Sequence, residues 1–167
     1  MIFQSFMIGL LGIIFQVYAS EIADIDEVRR QKLTCKLFRA VLQGGLLEDI
    51  ASLVIDGADI NAQDISGASL CHHASLFNRY DVLEILCKQG ADLNIKDNDG
   101  NTPLHYASRY GAYRAVKTLL IHGANKWEKN DKSRTSIELA QKSRRKLIVE
   151  LIENWHDPFE IKEPSVN

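Results

Sequence analysis

The chain has 167 residues, of which 46% are hydrophobic and 25% are charged, and its formal net charge is −2. These values are ordinary for one folded domain that is long enough to bury a core. They exclude the large basic excess that would point to nucleic acid or an anionic membrane as the main partner.

Residues 1–20 stand apart because they are mostly apolar and contain no charged side chain. A secretory signal has such an apolar centre, although the usual Lys or Arg near the start is missing here. About 20 apolar residues also suffice for an uncleaved anchor that crosses a bilayer as a helix. A buried segment is the third interpretation, and in none of the three does it belong to the core. We therefore expect the protein to be exported (secreted or periplasmic) or membrane-anchored, rather than cytoplasmic.

The next stretch predicts a long polar helix from Asp26 to Gln43, and its first residues belong to an N-terminal helical extension at residues 21–30. A second helix follows, and its apolar face carries Ile50, Leu53 and Val54. Gly57 is placed to end this helix, since glycine readily adopts the left-handed conformation found after helices. The upstream helix is expected to shield this end of the fold from water.

From this point the chain repeats itself at a fixed interval. The shift that places Gly57 on Gly90 also places Gly90 on Gly123, and each of these glycines is followed by alanine. Residues 64–96 and 97–129 match at ten of 33 positions without a gap. A fixed period of this length indicates a solenoid of stacked repeats.

The most regular unit, residues 97–129, begins with a predicted tight turn and a helix start. Asp97 and Gly100 suit the turn, because glycine supplies a positive φ that other residues avoid. Thr102 and Pro103 then suit the start of a helix: the hydroxyl can cap free N–H groups, and proline is tolerated in the first turn.

Two helices are predicted within this unit. The first has a small apolar face at Leu104, Ala107 and Ser108, and Gly111 ends it. The second is capped by Gly123, and its apolar face carries Ala115, Val116, Leu119 and Leu120.

The string Thr102-Pro103-Leu104-His105, with the apolar and glycine positions that follow it, resembles the ankyrin repeat. The repeat length of that family, about 33 residues, matches as well. The resemblance covers about three quarters of the chain and implies an all-α solenoid, in which antiparallel helix pairs are joined by β-hairpin-like loops that project sideways. It implies four units: a degenerate N-terminal cap at 31–63, repeats at 64–96 and 97–129, and a C-terminal cap at 130–155.

The other units depart from the motif in informative ways. In the second unit, Asn78 stands where Gly111 stands, and Asn also tolerates a left-handed φ. In the last unit, Thr135 marks the helix start, but Glu138 replaces the histidine of the motif. Modified ends are what a linear stack needs for solubility. Residues 156–167 carry little apolar periodicity and are expected to form a disordered tail.

Catalytic and metal sites are disfavoured by the same alignment. His72 and His105 share one repeat position, where the resemblance implies hydrogen bonds to the backbone of the neighbouring loop. Asp64, Asp97 and Asp99 fall in turns, where Asp bonds to its own backbone. We therefore expect no catalytic residue, no metal and no cofactor.

The cysteines and the basic residues near the C-terminus each leave two interpretations. Cys71 and Cys87 fall on apolar positions and are expected to be buried thiols, although an exported chain would permit a disulfide between them.

Eight Lys and Arg residues lie between Lys126 and Lys146. They form either a solvated cap or a surface for an acidic partner.

In the ankyrin family, partners lie against the loop tips and the first helices on the concave side. Carried over by position, the loop residues are Ile65, Ser66, Asn98, Asp99, Asn101, Asp131, Lys132 and Arg134. The helix residues are Leu76, Phe77, Arg109 and Tyr110, and the equivalent positions of the last unit are Lys142 and Ser143. Exposed aromatic residues and arginine carry much of the binding energy in interfaces. The alternative for Phe77 is that it folds under the neighbouring helix.

The sequence thus predicts a monomeric, non-catalytic module that binds another protein, and neither nucleic acid nor a small-molecule substrate. Two alternatives use the same fold. One is an inhibitor that occludes a partner enzyme, and the other is a purely structural subunit of a larger complex.

Overall fold

A computed structural model describes the backbone of residues 2–156 and the side chains of residues 23–156. This part of the chain contains eight helices and no strand: α1 (Ile2–Gln43), α2 (Leu47–Ile55), α3 (Leu70–Leu76), α4 (Tyr80–Lys88), α5 (Pro103–Tyr110), α6 (Tyr113–Ile121), α7 (Ser136–Lys142) and α8 (Lys146–Glu153). The predicted all-α class is confirmed. The predicted disordered tail lies outside the described residues, apart from His156.

The helices reproduce the repeat period of the sequence. The second helices begin at the equivalent position of each unit, at Leu47, Tyr80, Tyr113 and Lys146. The first helices α3, α5 and α7 start with the same spacing and pack side by side. The second helices α2, α4, α6 and α8 pack as another row behind them. The predicted solenoid of antiparallel helix pairs is therefore confirmed.

Helix α1 is longer than the sequence predicts, because it begins at Ile2 rather than at Asp26. Its C-terminal part takes the place of a first helix and packs against α2 and α3. There Leu37 and Val41 are fully buried, so this end of the stack is covered as expected.

The side chains that would act as a signal or an anchor, in residues 1–20, lie outside the described set. Among the residues that are described, no helix is both long and apolar enough to cross a membrane.

One continuous apolar core runs through all four units. The second helices contribute buried residues at equivalent positions, as Leu86, Leu119 and Ile152 show. Burying a side chain of this size stabilises the fold by about 1.5–3 kcal/mol relative to exposure. The neighbours of each unit supply the other half of this core, so the units stabilise one another.

Helix starts and ends follow the residues that the sequence indicates. Thr102 caps α5 with Pro103 in the first turn, and its side chain and that of His105 form a reciprocal capping box. Gly111 ends the helix with a φ of 85°. Asn78, its counterpart after α3, also has a left-handed φ, of 53°.

Candidate functional site

The loops between units are hairpin-like turns that each close on an Asp or Asn side chain. In the third unit, Asp97 Oδ1 accepts hydrogen bonds from the backbone N of Asp99 (3.0 Å) and of Asn101 (2.8 Å). Asn130 Oδ1 does the same in the last unit, for Lys132 (3.1 Å) and Arg134 (3.0 Å). The prediction that turn Asp residues bond to their own backbone is confirmed for Asp97, and the loops are held by their own side chains.

Neighbouring loop tips are also bonded to one another. Asn98 N donates to Ser66 O (3.0 Å), and its side-chain amide donates to Ile65 O (3.1 Å). One unit further along, Asp131 N donates to Asp99 O at 3.1 Å. The tips thus form a continuous row, in which the Ile65 side chain is fully exposed.

The two motif histidines fix this row to the helices. His72 Nε2 donates to Asn101 O (2.9 Å), and His105 Nε2 donates to Arg134 O (3.0 Å). The remaining nitrogen, Nδ1, accepts from the helix N-cap, which is Thr102 N at 3.1 Å for His105. Burial lowers the pKa of both imidazoles, so the neutral form is the one held in the fold. Their structural role, which the resemblance implies, is confirmed.

The ends of the first helices expose aromatic side chains next to the loops. Phe77 is 56% exposed and Tyr110 is 49% exposed. Phe77 therefore does not fold under the neighbouring helix, whereas Leu76 is half-buried. The Arg109 guanidinium lies 5.7 Å from the centre of the Tyr110 ring, within cation–π range. We call the surface made by the loop tips and the ends of α3, α5 and α7 the loop face.

A groove of about 260 Å³ opens on the loop face between α5 and α7. It brings together five residues that the sequence placed in the candidate site: Asp99, Asn101, Arg109, Lys132 and Arg134. The predicted residues of the second unit lie outside this groove, as do Asn98, Tyr110 and Asp131.

The groove also contains Lys142 and Ser143, which the sequence placed on this face, and two residues that it did not place there, Asn130 and Leu139. Lys142 and Ser143 occupy the same repeat positions in the last unit as Arg109 and Tyr110 in the third. The repeat period also carries a signal for Asn130, because this residue aligns with the turn residue Asp97.

The basic residues near the C-terminus lie in two different places. Lys126 lies 5.0 Å from the centre of the Trp127 ring and donates to Trp155 O at 2.8 Å, so it supports the end of the stack. Lys132, Arg134 and Lys142 instead line the groove. The cluster is therefore divided between the end of the stack and the groove.

The cysteines are free thiols. Cys71 is buried, and burial raises the pKa of its thiol well above the usual range. Cys87 is partly buried against the core, while Cys35 is exposed. In residues 23–156, no group of three or more His, Cys, Asp or Glu side chains converges as metal ligands do.

Comparison with known proteins identifies a repeat family. A family model described as ankyrin repeats (3 copies) matches residues 37–130. The matched span begins in α1 and runs beyond α6, so it includes most of the degenerate first unit and both regular repeats. No curated protein matches the chain.

Proposed function

We propose that this chain, which belongs to the ankyrin repeat family, binds another protein through its loop face. Ankyrin repeats generally act as protein–protein interaction modules and are typically not catalytic. The residues proposed to make contact are Phe77, Tyr110, Arg109 and the loop tips.

The exposure of Phe77 and Tyr110 carries this proposal. The two residues occupy equivalent positions at the ends of first helices, and both keep about half of their surface in water. Exposed aromatic side chains next to an arginine are the residue types that dominate binding energies in interfaces. The bonded row of loop tips supplies a surface that is already ordered, which lowers the entropic cost of binding.

The proposal is tested by replacing Phe77 and Tyr110 with Ala together. We expect this variant to lose capture of the protein partner that the wild-type chain retains in affinity purification. Its helical CD spectrum should be unchanged, because neither side chain belongs to the buried core. Quantitative mass spectrometry of the captured proteins measures the loss.

A matched control replaces with Ala two exposed apolar residues of the second helices, Ile55 and Ile121, which are 73% and 42% exposed. This control should capture the partner as the wild type does. Undiminished capture by the Phe77 and Tyr110 variant would contradict the proposal, as would equal loss in both variants.

A further inference from the structure

The groove between α5 and α7 combines four cationic side chains with a single carboxylate. Arg109 comes from the end of α5, Lys132 and Arg134 from the loop, and Lys142 from the end of α7. We propose that this groove binds an acidic segment, rich in Asp and Glu, of the protein partner. This inference rests on the proposed function and adds the chemistry of what is bound.

The positive charge of the groove is not neutralised from within. Elsewhere, cations of this chain pair with carboxylates, as Lys96 does with Glu128 at 2.9 Å and Arg79 with Asp81 at 3.2 Å. Within the described residues, none of the four groove cations forms a salt bridge with a carboxylate. Four like charges in one groove repel one another, and an anionic ligand would relieve that repulsion.

The nearby carboxylates do not cancel this charge. Asp99 lines the groove, but it is one carboxylate against four cations. Glu138 lies close to Arg134 and offsets part of its charge, while its carboxylate accepts from Thr135 N at 2.7 Å and caps α7. Even with Glu138 included, two carboxylates stand against four cations. The excess positive charge therefore faces the open groove.

The surroundings of the groove favour a polypeptide over a nucleic acid. Arg109 and Arg134 can each bind a carboxylate or a phosphate through two parallel hydrogen bonds, so the choice between these ligands depends on the other features of the groove. The exposed Tyr110 ring lies next to the Arg109 guanidinium, so an apolar residue beside the acidic segment would have an aromatic side chain to contact. The net charge of −2 opposes a long polyanion, which would have to contact many cations.

The test uses a fluorescein-labelled octaglutamate peptide and fluorescence anisotropy with the full chain at low salt. We expect the wild type to bind this peptide and not octalysine, with weaker binding as salt rises. The double variant Lys132→Gln with Lys142→Gln should bind octaglutamate roughly tenfold more weakly.

The matched control is Lys36→Gln with Lys117→Gln, which removes the same charge from exposed positions on α1 and α6. It should bind octaglutamate as the wild type does. Equal weakening in both double variants would overturn the proposal, because binding would then follow net charge alone. Tighter binding of a single-stranded oligonucleotide of eight phosphates than of octaglutamate would also overturn it.

The two proposals fail in different ways. If octaglutamate does not bind while the Phe77 and Tyr110 variant still loses its partner, the acidic ligand is wrong and the loop face stands. If octaglutamate binds through Lys132 and Lys142 while that aromatic variant keeps its partner, the groove stands and the proposed role of the two aromatic residues fails. CD spectra of all variants exclude unfolding as the cause.

Discussion

In two units, a turn carboxylate also accepts a hydrogen bond from a side chain of the following helix. Asp64 Oδ2 accepts from His73 Nε2 at 2.8 Å, and Asp97 Oδ2 accepts from the Tyr106 hydroxyl at the same distance. His73 and Tyr106 occupy equivalent repeat positions, so two different donors serve one purpose. Each carboxylate thereby joins its loop to a first helix.

The ionised form of Asp64 is the form that this network stabilises. Partial burial raises its pKa, but hydrogen bonds from Ser66, His73 and the turn backbone outweigh that effect. The pKa is therefore lowered from 3.8 to about 2. Because the folded pKa lies below the unfolded one, the stabilisation is complete above the unfolded pKa and is lost as pH falls toward 2.

We expect Asp64→Asn to lower the thermal midpoint at pH 7, since the neutral amide accepts these hydrogen bonds less strongly. The difference from the wild type should narrow as pH falls from about 4 toward 2, where the wild-type carboxylate also becomes neutral. Thermal melts followed by CD across this range measure it. A difference that stays constant from pH 7 down to pH 2 would contradict this account.

At the scale of the structural element, the loops approach one another too closely for side chains at two glycines. A Cβ on Gly67 would lie 2.8 Å from Asn98 N, and one on Gly100 would lie 2.8 Å from Asp131 N. These are the amide groups that bond neighbouring loop tips together. Glycine is therefore required here by contact with the next unit as well as by its positive φ.

A pair of glycine substitutions separates the effect of the positive φ from the effect of the contact with the next loop. Gly100 and Gly123 both have a positive φ, 74° and 85°, but a Cβ on Gly123 would meet nothing within 4 Å. We expect Gly123→Ala to cost about 1–2 kcal/mol, for the left-handed conformation alone. Gly100→Ala should lower the free energy of unfolding by clearly more, because the new Cβ would also push the two neighbouring loop tips apart.

Urea denaturation of both variants measures this difference in free energy of unfolding. Equal losses of stability for Gly100→Ala and Gly123→Ala would show that the contact between loops contributes nothing beyond backbone conformation.

The sequence predicts most elements because their signals are local and recur. The repeat period places the helices of the later units, and Thr102, Pro103 and Gly111 mark the bounds of α5. Ser133 and Arg144 adopt left-handed φ values of 54° and 57° without any residue-type signal. Only their alignment with Gly100 and Gly111 could have indicated this.

The position of the candidate groove was predictable, whereas its positive charge was only one of two interpretations of the basic residues near the C-terminus. The period places Arg109 and the loop residues on one face, and the structure brings several of them into one groove. Which cations are paired depends on side-chain placement: Lys96 reaches Glu128, whereas Lys132 lines the groove. A one-dimensional charge pattern does not distinguish paired from unpaired cations, so only the structure identifies the cations that line the groove.

At the scale of the whole molecule, stability depends on interfaces between units. The core cluster is continuous from Leu37 in α1 to Ile152 in α8, and no unit buries its own apolar face alone. The free energy of unfolding is then the sum of a few contributions from units and from the interfaces between them. In so short a stack, the loss of one interface destabilises every unit.

Truncating a central core residue should therefore unfold the whole stack at once. Leu119 is fully buried in α6, and we expect Leu119→Ala to cost about 2–5 kcal/mol, a large part of the roughly 5–15 kcal/mol that stabilises a typical domain. Leu147→Ala, at a side chain 69% exposed, is the control and should change stability by no more than about 0.5 kcal/mol. Urea titrations followed by far-UV CD report all helices, while fluorescence of Trp127 and Trp155 reports the C-terminal end. Coincident transitions at lower urea would support a single cooperative unit, and separate transitions in the variant would show that the units unfold independently.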